Sequence, residues 1–180
     1  ILMRTIPISI FSVTADNNSL GFVLSRPEWN YVSKAEVINR LAVLLGGLEA
    51  ERLIFGDEKI TIGANQDLTN ATRLAMHVIY SCGFGKNAVS YGSVYKDNIP
   101  SLIFDIDASP VNNTVKGLLI EAQQLAASTL AKQRTLLLHL ANYLCDKRML
   151  DQAAIEEYVA KYAIDFSADE IIKDADNLFY

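Results

Sequence analysis

Histidine and cysteine are scarce in this sequence of 180 residues, and their scarcity limits the metal sites that it can form. The two histidines, His77 and His139, lie far apart, so a site with several histidine ligands cannot be built from this chain alone. The two cysteines, Cys82 and Cys145, form no Cys-x-x-Cys pair, which excludes a cysteine zinc site. Both lie in apolar stretches and are expected to be reduced thiols in core positions; the alternative is a disulfide between them.

Further absences narrow the class of protein. The net charge is −5 and the pI is about 5.0, so a nucleic-acid partner is not expected. No apolar run is long enough for a transmembrane helix, and no signal peptide is recognisable. The absence of a Gly-x-x-x-x-Gly-Lys loop excludes a P-loop ATPase module from these residues. The composition, 51% hydrophobic and 21% charged, is globular, and the length suits one domain.

The first 32 residues are predicted to form a small β element. Residues 5–13 alternate in polarity and are rich in β-branched side chains, and residues 20–24 form a second apolar run. Asp16-Asn17-Asn18 is typical of a turn between the two runs, and Pro27 ends the second. We therefore expect a hairpin or a small sheet.

Residues 33–82 are predicted to form two helices. Ser33 and Glu36 have the spacing of a capping box, and Gly56 suits the end of the first helix. Gly46-Gly47 is expected to interrupt this helix where another backbone or a bound group comes close, because each glycine costs about 1 kcal/mol of helix propensity. The second helix is predicted from about residue 65 to residue 81, before Gly83, with a buried face of Leu68, Ala71, Leu74, Ala75, Val78 and Ile79.

The remaining residues are predicted to form a loop followed by helices. Residues 83–112 show no helical period and are expected to be a long loop. Residues 113–180 are predicted to hold one long helix over 113–147, a helix capped by Asp151 that ends near Tyr162, and a short helix started by Ser167 and Glu170. The long helix would bury Leu119, Ala122, Ala126, Leu130, Leu137, Leu140, Ala141 and Leu144. We predict a mainly α fold, one domain over residues 1–180, with the small β element near its N-terminus.

Two acidic residues are candidates for chemistry. Asp67 lies in the first turn of the second helix, just after a loop that contains glycine. A carboxylate there either only stabilises the helix dipole or is held in place as a metal ligand. Glu51 is three residues from both Leu48 and Ile54 and is expected to point partly inward. A half-buried acid needs a partner, either a cation or a metal-bound imidazole.

Two sequence blocks carry a resemblance to a known family. They resemble two blocks in the peptidase domain of the FtsH family and read LLGGLEAERLIFG and TIGANQDLTNATRLAMHVIYSCGFG. Members of this family are membrane-anchored, ATP-dependent AAA zinc metalloproteases of bacteria, mitochondria and chloroplasts. The family pattern is Leu-Leu-Gly-Gly-Arg-x-Ala-Glu-Glu, followed by Thr-Gly-Ala-x-x-Asp-Leu-x-x-Ala-Thr at nearly this spacing. LGFVLSRPE and RMLDQAAIEEY resemble further family elements, so the similarity spans about residues 5–160.

The resemblance implies roles for several residues. Asp67 matches the aspartate that supplies the third protein ligand to zinc, and Glu51 matches a glutamate that supports the metal site. Residues 20–24 match an edge strand beside the active-site cleft, where an extended substrate adds by β-pairing. These residues are Leu20, Gly21, Phe22, Val23 and Leu24. The implied cofactors are zinc and, at a separate module, ATP. The implied partners are protein substrates and further copies in a homohexamer.

The departures from the family pattern are also specific. The family's His-Glu-x-x-His helix, whose histidines bind zinc and whose glutamate is the general base, does not occur in these residues and is expected just before Ile1. His77 and His139 lack that pattern and are expected to be structural histidines. The family arginine, a small residue and a threonine are replaced by Leu48, Glu49 and Ile62.

Three hypotheses about function follow. The first is part of the protease domain of an ATP-dependent zinc metalloendopeptidase that degrades unfolded or membrane proteins. Such a domain is expected to be soluble and intracellular, attached to a bacterial inner membrane or an organelle membrane through upstream segments. The second is a catalytically inactive peptidase-like domain used in assembly or protein binding, and the third is an unrelated helical binding module. The residues encoded before Ile1 would distinguish the first two.

Overall fold

The computed structural model describes residues 6–12, 21–26, 33–85 and 110–164, most of which are helical. The elements in chain order are β1 (Ile6–Ser12), β2 (Gly21–Arg26), α1 (Lys34–Phe55), α2 (Asn65–Tyr80), α3 (Pro110–Lys132), α4 (Arg134–Lys147), β3 (Met149–Asp151) and α5 (Gln152–Tyr162). Two short 3-10 turns, Asp57–Lys59 and Ile62–Ala64, lie between α1 and α2. The predicted mainly α fold with a small β element is confirmed.

The chain divides into two compact units. One comprises residues 32–128, and the other comprises residues 1–31 together with residues 129–180. That the 180 residues form one peptidase-like domain stays a prediction. The predicted turn at residues 16–18, most of the predicted loop, and the capping box of Ser167 and Glu170 lie outside the described residues.

Helix α1 begins and ends at the predicted residues. The Ser33 hydroxyl accepts a hydrogen bond from the Glu36 backbone N–H, and the Glu36 carboxylate accepts one from the Ser33 N–H at 2.6 Å. This reciprocal pair satisfies two backbone donors that the first turn leaves free. At the other end, Gly56 has φ +82°, a backbone conformation that glycine adopts without a steric penalty, and its N–H donates to the Arg52 carbonyl at 3.0 Å.

The prediction that Gly46-Gly47 interrupts α1 is wrong. The helix continues unbroken from Lys34 to Phe55, and a Cβ added at either glycine would meet no described atom within 4 Å. Burial holds the helix together instead, because Val37, Ile38, Leu41, Ala42 and Leu45 all lie in the core of this unit. Each large apolar side chain buried contributes about 1.5–3 kcal/mol, which exceeds the cost of about 1 kcal/mol for each glycine.

Helix α2 matches its predicted span to within one residue at its end. Ala71, Ala75, Val78 and Ile79 are buried as predicted, and Met76 and Tyr80 are buried with them. The Tyr80 hydroxyl donates to the Asn112 side-chain oxygen at 2.6 Å, which joins α2 to α3 inside the same unit. The prediction that Leu68 is buried is wrong: its side chain is 39% exposed, because it lies in the first turn, before the buried stretch of the helix begins.

The predicted single helix over residues 113–147 is two helices, α3 and α4, and α3 begins three residues early, at Pro110. They meet at Gln133, whose backbone angles, φ −101° and ψ 22°, lie outside the helical range. The buried Gln133 amide donates to the Ile164 carbonyl at 2.9 Å and accepts from the Ile164 N–H at 3.1 Å. Ala122 and Ala126 are buried as predicted, but Ala141 is exposed; the buried residues also include Val115, Leu118 and Leu136.

The described strands form one antiparallel sheet in the order β2-β1-β3. Strands β1 and β2 are the predicted pair, with Ile10 opposite Val23; β3 is too short to be recognised from its sequence. Asp151 ends β3 and caps α5, because its carboxylate accepts the Ala154 N–H at 2.9 Å. This cap and the end of α5 at Tyr162 confirm the prediction for this helix.

Both cysteines differ from expectation. Cys82 and Cys145 are free and exposed, so the prediction of core positions is wrong. Each lies near a helix end, Cys82 just after α2 and Cys145 in the last turn of α4, where apolar sequence neighbours do not ensure burial. None of the described helices has the length and apolar character needed to cross a membrane.

Candidate functional site

Asp67 lies in the first turn of α2, as its position in the sequence predicts. Its side chain is exposed, and no hydrogen bond or ion pair to its carboxylate occurs within the described residues. The residue before the helix, Ala64, provides no side-chain cap, and the charge of Asp67 in the first turn interacts favourably with the positive end of the helix dipole. The Asp67 oxygens are therefore open to an external ligand at the positive end of the helix dipole.

Glu51, on α1, holds the segment that leads to Asp67. Its carboxylate accepts the Thr61 backbone N–H at 2.8 Å and the Thr61 hydroxyl at 2.9 Å. The same hydroxyl oxygen accepts the Gly63 N–H at 3.2 Å, so Thr61 caps the 3-10 turn Ile62–Ala64. Glu51 is half-buried as predicted. Its partner in the described part of the chain is Thr61, and not the cation or metal-bound imidazole that was expected.

Glu49 is a buried acid that the sequence analysis assigned no role. Its side chain is 4% exposed, forms an ion pair with Arg52, and accepts the Gln123 side-chain N–H from α3 at 2.8 Å. Arg52 Nε also donates to Asp57 at 2.6 Å. The hydrogen bond to Asp57, followed by the one to Glu49, raises the pKa of Arg52. Four side chains thus link the end of α1 to α3 and to the segment after Gly56.

A signal for the burial of Glu49 was present in the sequence. The buried residues Ile38, Ala42 and Leu45 precede it by eleven, seven and four residues, and these are the spacings of one helical face. Position 49 continues this face, so its acid had to be buried or bent away from the core. Because a buried charge needs a partner, Arg52, one turn later, was the local candidate.

The other predicted site residues lie apart from Asp67 in sequence. Gly21, Phe22, Val23 and Leu24 belong to β2, which lies at an edge of the described sheet, whereas Leu20 is outside the described residues. His77 is exposed on α2, and His139 is stacked on the Tyr162 ring with centroids 3.8 Å apart. The role of the strand stays a prediction.

Asp67 suits one coordination position of a zinc ion but not a complete site. A carboxylate oxygen is an ordinary zinc ligand, and this one is exposed. Three protein ligands are typical of catalytic zinc. No cluster of three or more histidine, cysteine or acidic residues able to hold a metal occurs within residues 6–12, 21–26, 33–85 and 110–164. The residues present therefore fit zinc as a partial ligand set.

The comparisons with known proteins find similar metalloprotease sequences. The model of peptidase family M41 matches residues 3–158. The rice (Oryza sativa subsp. japonica) ATP-dependent zinc metalloprotease FTSH 9, chloroplastic/mitochondrial, is 32% identical over 158 residues, which cover 87% of this chain and 19% of the relative. FTSH 11 of Arabidopsis thaliana is 35% identical over 80% of this chain and 17% of its own length, and FtsH of Rubrobacter xylanophilus is 27% identical over 88% and 26%.

The chain spans about a sixth to a quarter of the length of these relatives. The match to the family covers both central blocks and most of the elements described above. The resemblance noted in the sequence is therefore confirmed. This chain belongs to peptidase family M41, together with the FtsH-type metalloproteases.

Proposed function

We propose that this chain is part of the protease domain of an ATP-dependent zinc metalloendopeptidase that cleaves unfolded or membrane proteins. The observation that carries the proposal is the family match over residues 3–158, which includes Asp67 and Glu51. The names of the relatives, ATP-dependent zinc metalloproteases, support the same class. The exposed carboxylate of Asp67, open at the start of α2, supports its assignment as a zinc ligand.

In this proposal each predicted residue has a defined task. Asp67 donates one carboxylate oxygen to zinc, and the two histidine ligands and the glutamate base come from a His-Glu-x-x-His helix elsewhere in the full-length protein. Zinc at such a site activates a water molecule and polarises the scissile carbonyl. Glu51 supports the site from α1, and the edge strand β2 pairs with an extended substrate.

The remaining parts of the proposal concern the full-length protein. ATP binds at a separate AAA module, and homohexamer formation gathers the protease domains. Attachment to a bacterial inner membrane or an organelle membrane comes from segments other than the described helices. The partners are protein substrates; the net charge of −5 gives no support to nucleic-acid binding.

The proposal is tested by the zinc content of the full-length protein and of its Asp67→Asn variant. The amide of asparagine is a much poorer zinc ligand than a carboxylate, so we expect bound zinc and casein hydrolysis to fall together. Asp146→Asn is the matched control, because Asp146 is an exposed acid near the end of α4 and distant in sequence from α2. Zinc content that is unchanged in Asp67→Asn would remove Asp67 from the ligand set.

The second candidate function is a catalytically inactive peptidase-like domain used in assembly or protein binding. The replacement of the family arginine by Leu48, and the buried ion pair of Glu49 in a position that is small in the family, favour it. A full-length protein that holds no zinc and has no His-Glu-x-x-His sequence, yet assembles normally, would establish this alternative.

A further inference from the structure

Residues 61–63, just before α2, have few contacts that fix their position. Thr61 and Gly63 are exposed, Ile62 is 93% exposed, and Ala64 is the first buried residue after them. Apolar packing therefore contributes little to holding residues 61–63. What the described residues do provide is the Glu51 carboxylate, which takes both donors of Thr61.

The backbone connects Thr61 to Asp67 through the 3-10 turn and the start of α2, with no intervening loop. The 3-10 turn Ile62–Ala64 runs directly into α2, and Asn65 has helical angles, φ −57° and ψ −42°, with its N–H on the Ile62 carbonyl. Residues 62–67 thus form a helical segment, a 3-10 turn that is joined to α2 at Ala64 (φ −80°, ψ 5°) with no intervening loop. A shift of Thr61 would move the first turn of α2, and with it the Asp67 carboxylate.

The close fit at Gly63 is a second sign that this geometry is built into the fold. A Cβ added at Gly63 would lie 3.2 Å from the Thr61 hydroxyl oxygen and 3.9 Å from Glu51 Oε1. Added bulk would therefore press on the Thr61 hydroxyl at the point where it bridges Glu51 and the Gly63 N–H. The small residue leaves room for the bridge.

We propose that Thr61 is a positioning residue for the metal site: held by Glu51, it fixes the first turn of α2 so that Asp67 presents its carboxylate to zinc. This inference rests on the proposed function, and it gives Glu51 a definite route of action. The route runs through the Thr61 N–H and hydroxyl and along the helical segment 62–67. Outer partners of this kind typically change metal affinity ten- to a hundredfold when removed.

The test compares zinc dissociation constants of full-length variants by competition with a chromogenic chelator. Thr61→Val keeps the shape of the side chain but removes the hydroxyl, so we expect zinc to bind roughly tenfold more weakly. Thr61→Ser restores the hydroxyl and should bind like the wild type. Thr72→Val is the matched control, because the Thr72 hydroxyl donates only to the Leu68 carbonyl of its own helix.

Two further measurements keep the outcome decisive. Hydrogen exchange of the peptide that covers residues 60–64 should quicken in Thr61→Val, which lacks the hydroxyl, and in Glu51→Gln, which has only one side-chain oxygen left to accept the two Thr61 donors. A double-mutant cycle of these two changes should be non-additive in zinc affinity, since both weaken the same contact between Glu51 and Thr61. If Thr61→Val does not fold, Glu51→Gln and the exchange data decide alone.

The possible failures can be told apart. Faster exchange with unchanged zinc affinity in Thr61→Val, or additive effects in the cycle, would overturn the positioning role and leave the proposed function intact. Zinc affinity that does not respond to Asp67→Asn would remove Asp67 from the ligand set and overturn this inference, whereas a wild-type full-length protein that holds no zinc would overturn the proposed function.

Discussion

Glu49 shows how a single buried charge affects the unit of residues 32–128. Truncation in Glu49→Ala leaves the Gln123 amide without its acceptor and Arg52 without one of its two carboxylates. Stranded polar groups of this kind cost about 1–3 kcal/mol, so we expect the free energy of unfolding to fall by that amount in urea titrations. Glu58→Ala, at an exposed position, should change it little. Equal effects of the two changes would contradict this assignment.

Glu121 gives a pH dependence with a definite sign. Burial raises its pKa, and the nearby charge of Lys34 lowers it by a smaller amount. When the pKa of a carboxyl is higher in the folded state than in the unfolded state, its contribution to stability is complete at pH values below the pKa of the unfolded state. That contribution is lost as pH rises through the folded pKa. We therefore expect Glu121→Gln to gain stability relative to the wild type as pH rises from about 4 to about 7.

Thermal or urea unfolding across that range measures the difference between the two proteins. Glu156→Gln, on the exposed face of α5, serves as a comparison at a carboxylate without burial. A difference between Glu121→Gln and the wild type that shrinks as pH rises would contradict the assigned sign.

At the scale of elements, α1 is a helix that tolerates two glycines. Because a Cβ at Gly46 or Gly47 would meet no described atom within 4 Å, Gly46→Ala should raise the free energy of unfolding by up to about 1 kcal/mol. Gly56→Ala is the contrasting variant, because φ +82° strains any residue with a Cβ by about 1 kcal/mol or more. Destabilisation by Gly46→Ala would mean that this face of α1 is covered.

The elements also show what a sequence can predict. Caps depend on residues three apart, so Ser33 with Glu36 and Asp151 with Ala154 were within reach of local patterns. The break between α3 and α4 could not be predicted from local patterns, because Gln133 binds the backbone of Ile164, 31 positions later. Likewise, Leu68 has the spacing of a buried residue, and its exposure depends on where the packing against α2 begins.

At the scale of the whole molecule, the candidate site was predicted only in part. Asp67 and Glu51 were selected from their positions in the helices and from the family blocks, and their roles at a metal stay predictions. Thr61 was not found, since its function depends on a hydrogen bond to α1 across ten residues. The part of the chain that the structure describes holds no complete metal-binding cluster, so local patterns there offered no further ligand.

The buried pair of Glu49 and Arg52 limits which substitutions this sequence tolerates at these positions. Where the family pattern has arginine, a small residue and glutamate, this chain has Leu48, Glu49 and Arg52. Restoring glutamate at position 52 alone would place a second acid beside the buried Glu49 carboxylate and would remove the cation that pairs with it. Positions 49 and 52 are therefore coupled, because the acid at position 49 is buried and the cation at position 52 is its ion-pair partner.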